Sequence, residues 1–77
     1  MLKLTNFKTN DSYLHMNVLI EDEMQRYELC VDKSDDMFPV VSSDIPAKYK
    51  IYEQQARIAL RRYIGEKLPA TINSSWY

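Results

Sequence analysis

Apolar and polar residues alternate from the start of the chain. Leu2 and Leu4 alternate with Lys3 and Thr5, and Phe7 then falls out of phase. A period of two marks a strand with one buried face, so residues 2–9 are expected to form a strand with a bulge near Asn6. Asn10-Asp11 follows as a tight turn, on the ground that both residues tolerate left-handed backbone. Leu14, Met16, Val18 and Ile20 alternate with His15, Asn17 and Leu19, which gives a second strand over 12–21. Glu21-Asp22-Glu23 reads as the next turn. Tyr27, Leu29 and Val31 alternate with Arg26, Glu28, Cys30 and Asp32, giving a third strand over 24–32. Two short connections make an antiparallel meander.

Beyond residue 32 the alternation stops. Residues 33–44 read as a loop, and Met37-Phe38-Pro39-Val40-Val41 is apolar enough to tuck under a helix or add a short edge strand. From Ala47 to Ile64 there is neither Gly nor Pro, and the apolar spacing lengthens to that of a helix. Tyr49, Tyr52, Ala56, Ala59, Leu60, Tyr63 and Ile64 share one face. Ser43 or Asp44 is placed to cap this helix, Pro46 suits its first turn and Gly65 its end, so it spans 45–65. The tail 66–77 has no periodicity of its own. The fold class that follows is α+β: a three-stranded antiparallel meander with one long C-terminal helix packed across one face, in the order β-β-β-α. The helix stripe is expected on the face carrying Leu14, Met16, Val18, Ile20, Tyr27, Leu29 and Val31. The other face, with Thr5, His15, Asn17, Leu19, Arg26, Glu28 and Cys30, is mixed and expected to meet solvent.

Composition narrows the function. Seventy-seven residues make one domain over 1–77. The single cysteine, Cys30, has no partner for an internal disulfide, so stability must come from packing or association. No apolar run approaches the roughly 18 residues of a membrane helix, and the N-terminus lacks the apolar core of a leader; the expectation is a cytoplasmic protein with no membrane partner. Net charge is −1 and unevenly spread. Residues 1–45 hold four bases against nine acids, net −5, and residues 46–77 six bases against two acids, net +4.

Chemistry is sparse. His15 and Cys30 fall on the same face of adjacent strands, but no third group or oxyanion hole accompanies them. The acids around Asp32, Asp35 and Asp36 lack the spacing of a calcium loop. The reading is therefore no enzyme, no metal and no cofactor. Two features of the helix remain. Lys50, Arg57 and Arg61 cluster near one azimuth, and the helix dipole does not favour Lys48 or Lys50 in the first turns. Ile51 and Ile58 lie seven residues apart, away from the core stripe, flanked by Gln54, Gln55 and Arg62. Aligned isoleucines at that spacing suggest a second apolar seam, unless the loop 37–41 or the tail (Ile72, Trp76, Tyr77) covers them. The leading expectation is a small non-enzymatic interaction or regulatory module. It would bind a protein partner or a second copy through Ile51, Ile58, Gln54, Gln55 and Arg62. The alternative is a nucleic-acid-binding accessory domain using Lys50, Arg57 and Arg61.

Overall fold

The computed structural model describes residues 2–20 and 26–74. Strands β1 (Leu2–Thr9), β2 (Tyr13–Ile20) and β3 (Arg26–Asp32) form the expected meander. Two strands enlarge it. β4 (Val40–Ser43) adds to β3, and β5 (Thr71–Ser74) adds to β1. The sheet therefore has five antiparallel strands in the order β4-β3-β2-β1-β5, not three. One of the two was anticipated as an option: the loop 33–44 contains an edge strand, preceded by Pro39, whose missing N–H costs nothing there. The tail was not anticipated. Thr71 and Ile72 pair with Thr5 and Leu4, so residues 71–74 belong to the sheet.

The bulge lies where the phase break put it. Register shifts between Thr5 and Lys8, and Asn6 takes a left-handed φ of 57°, which Asn tolerates better than most residues. Phe7 is thereby turned back to pack against the core. The Asn10-Asp11 turn stands for a different reason than expected. Neither residue has positive φ. Instead the Asn10 carboxamide oxygen accepts the N–H groups of Ser12 and Tyr13 at 3.0 and 2.8 Å. The turn expected at 21–23 lies outside the described residues.

The inner face carries Leu2, Leu4, Leu14, Met16, Val18, Ile20, Tyr27, Leu29, Val31 and Ile72, all buried. Over it lies a short 3-10 turn, Ala47–Tyr49, running into the helix α1 (Lys50–Arg61). Ala56, Ala59 and Leu60 are buried, while Tyr49, Tyr52 and Tyr63 pack on the core from its margin. The helix is shorter than the 45–65 expected. It ends at Arg61, and residues 62–65 form turns, so Ile64 leaves the stripe and stands 46% exposed. Gly65, with φ of 81°, closes that turn in the left-handed region a glycine enters most easily. Neither Ser43 nor Asp44 caps α1. The Ser43 hydroxyl accepts the N–H of Ile45, and an Asp44 carboxylate oxygen accepts the N–H of Glu28 at 2.7 Å, which extends the β3–β4 pairing. Lys48 is accounted for by its ammonium, 5.0 Å from the centre of the Tyr49 ring, an attraction that offsets the unfavourable dipole. Among the described residues no helix is long and apolar enough to cross a membrane.

The β3–β4 connection is held by its own side chains. One Asp32 carboxylate oxygen accepts the Ser34 hydroxyl at 2.6 Å and the Ser34 N–H at 2.9 Å. These bonds, the hydroxyl first, hold the Asp32 carboxyl below its ordinary value. A carboxyl depressed in the folded state contributes stability that is present above its unfolded value, about 3.9. That contribution disappears as pH falls through the folded value. Ser34→Ala is expected to move the Asp32 midpoint back up toward the ordinary value, read by carboxyl NMR titration. An unmoved midpoint means the hydroxyl does not set it. Further along, the Asp35 carboxylate accepts the Met37 N–H at 2.8 Å, and the Asp35 carbonyl accepts the Phe38 N–H. Phe38 has φ of 49°, a conformation that costs a non-glycine residue about 1–3 kcal/mol. The ring's packing against the core offsets that cost.

Candidate functional site

Two regions hold the residues singled out above. The first is the solvent face of the sheet. Its strands place Lys8, His15, Cys30 and Ser42 in one cross-strand row, and Thr5, Asn17 and Glu28 in the next. His15 and Cys30 do meet, with Nε2 3.7 Å from Sγ. They line a hollow of about 370 Å³ with Lys8, Asn17, Glu28 and Ser42 among its walls. The histidine is exposed, but Cys30 as a residue is only 5% exposed, more enclosed than an open strand position implies. Among the described residues no third group is bonded to the pair, and no cluster of three or more His, Cys, Asp or Glu side chains could hold a metal ion. A nucleophile would need a base, an orienting group and access together; this row offers a contact between two groups and little access to the sulfur.

The second region is the outward side of α1. Ile51 and Ile58 stand 54% and 45% exposed, as their spacing against the core stripe implied. Gln54 and Arg62 are also exposed, whereas Gln55 is half-buried. Arg62 sits just past the helix end, its N–H shared between the carbonyls of Ala59 and Leu60. Ile72, one of the residues that could have covered the seam, is instead buried in the core. Trp76 and Tyr77 lie outside the described residues.

The cations differ in exposure and engagement. Lys50, at the first helical position, and Arg61, at the last, are exposed. Arg57 is half-buried and already engaged: its Nε and Nη2 both donate to the Met37 carbonyl oxygen, at 3.1 and 2.9 Å. This contact ties the β3–β4 connection to the helix across 20 residues of sequence. It also sets Met37 beside the isoleucine seam. Met37, Gln54, Arg57, Ile58 and Arg61 line a shallow groove of about 240 Å³. Met37 is 51% exposed there. Met37 belongs to the loop 37–41 that the sequence offered as a cover for the isoleucines; it reaches Ile58 but leaves both side chains about half exposed.

No protein-family model, no curated protein and no solved structure matches this chain.

Proposed function

We propose that the chain is a small non-enzymatic interaction module whose binding surface is the outward side of α1. A protein partner or a second copy would bury Ile51 and Ile58, with Gln54, Gln55 and Arg62 as the polar margin. The observation that carries this reading is the exposure of both isoleucines at 54% and 45%, on a helix whose other side already packs on the sheet. Buried at an interface, each would contribute roughly 1.5–3 kcal/mol. The surrounding glutamines and arginine match the polar rim of a non-obligate interface.

Nucleic-acid binding through Lys50, Arg57 and Arg61 is the weaker reading. The three cations do share one side of the helix, but Arg57 spends two of its donors on Met37. A phosphate contact there would compete with an existing bidentate bond. Two freely exposed cations supply only weak, salt-sensitive affinity.

Ile51→Glu/Ile58→Glu tests the leading reading. The double variant is expected to melt within about 0.5 kcal/mol per site of the parent, as exposed substitutions do. It is also expected to lose whatever association the parent shows in sedimentation. A double variant that is destabilised by several kcal/mol would mean that the chain's own segments bury the isoleucines, and the reading would fail.

A further inference from the structure

We propose that the groove between Met37 and the helix residues Ile58 and Arg61 docks an acidic segment of a protein partner anchored by an apolar side chain. The anchor lies over Met37 and Ile58, and carboxylates of the same segment meet Arg61. This rests on the interaction reading above and names the partner's chemistry.

Three observations converge. The groove is apolar at its base, and both of its apolar side chains remain about half exposed: Met37 at 51% and Ile58 at 45%. Its charged lining is all cationic, Arg57 and Arg61, with Gln54 as the only other polar side chain. The two loop acids just before Met37 are turned to other tasks, and Glu53, next to Gln54 on the helix, is not part of the lining. Asp35 accepts the Met37 N–H, and Asp36 lines a separate hollow with Phe38, Tyr63 and Gly65. A groove lined by cations and, among the described residues, by no carboxylate complements an anionic partner.

The apolar base decides which anion. A nucleic-acid backbone presents phosphates at regular spacing and needs cations, with aromatic platforms for exposed bases. A half-exposed methionine and isoleucine offer it nothing. A peptide carrying Leu or Phe among glutamates uses both halves of the groove, and methionine's flexible thioether adapts to either side chain. The groove is also held ready. Arg57 grips the Met37 carbonyl, and Asp35 grips its N–H, so the backbone that presents the methionine is fixed on both sides. A surface fixed before binding loses less freedom when a partner arrives.

The test uses the chain with its methionine methyls labelled. The probe is a short peptide of glutamate and alanine carrying two leucines one helical turn apart. Controls are the same peptide without leucines, its lysine-for-glutamate counterpart, and a mixed-sequence oligonucleotide at about 50 mM salt. The Met37 methyl resonance is expected to move saturably with the acidic leucine peptide and with none of the controls. Arg61→Glu and Met37→Ser are each expected to weaken binding about tenfold or more, near 1.4 kcal/mol. Both leave the Arg57 contact in place, because that contact is to the Met37 backbone. An unmoved Met37 methyl overturns the inference, as does equal movement with the lysine peptide. Stronger movement with the oligonucleotide overturns it in favour of nucleic acid. If Met37 stays unmoved while the parent self-associates through Ile51 and Ile58, the groove inference alone fails. If those isoleucines prove to be core residues, the interaction reading fails with it.

Discussion

Truncating Leu60 or Leu29 to alanine is expected to cost about 2–5 kcal/mol each. Both are 1% exposed, Leu60 on the buried side of α1 and Leu29 on the inner face of β3, in one continuous core. A domain of this length has a total stability of about 4–12 kcal/mol. Either change therefore removes a large fraction of it. Each kcal/mol lowers the melting temperature by about 4–8 °C at this size. Thermal unfolding followed by circular dichroism reads the effect directly. A midpoint that does not move in either variant is incompatible with the helix lying on this face of the sheet.

Placing a charge at Ile72 is expected to be more damaging still. Ile72 is 4% exposed and sits opposite Leu4, in the strand that covers the outer side of β1. Ile72→Asp puts a carboxylate in an apolar site with no partner for it, and the desolvation cost is several kcal/mol. The expected result is loss of the cooperative unfolding transition, with collapse of the dispersed amide spectrum. Ile72→Ala is the milder companion, at about 2–5 kcal/mol. If Ile72→Asp unfolds with the parent's midpoint, residues 71–74 are not the fifth strand.

The contrast between these positions shows what a linear pattern carries. Leu29 and Leu60 were legible because each belongs to a periodic run, one of period two and one of period 3.6. The bulge at Asn6 was legible as a break in phase. β5 was not, because Thr71–Ser74 is four residues with one aliphatic side chain, too short for any period to show. Its strand state depends on β1, which lies at the other end of the chain. The helix start was misjudged for a related reason: Ser43 and Asp44 have the right chemistry for caps, but Ser43 accepts the N–H of Ile45 and Asp44 that of Glu28 in β3, and the helix begins only at Lys50. The candidate site divides in the same way. Ile51 and Ile58 are readable from their spacing alone. That the loop 37–41 reaches the seam was one of the options the sequence left open; that Met37 is the residue set beside Ile58 depends on a guanidinium 20 residues away, which leaves no local trace.

The sheet order also dictates when this chain can finish folding. Synthesis delivers β1, β2 and β3 first, and these can pair as a meander while the rest is still being made. β1 then presents an open edge, a row of unpaired backbone groups able to recruit another nascent chain. Only β5 covers that edge, and only after the helix has been made. The backbone of α1 approaches β1 and β5 more closely than the other strands, so helix docking and edge closure belong to one late event. Joining segments so distant along the chain carries a loop-closure cost that must be met before any contact repays it. Until residues 71–74 arrive, the backbone of Leu2–Thr5 therefore stays open on that side, and once they do, the exposed edge is reduced to the four residues of β5 and the end of β1.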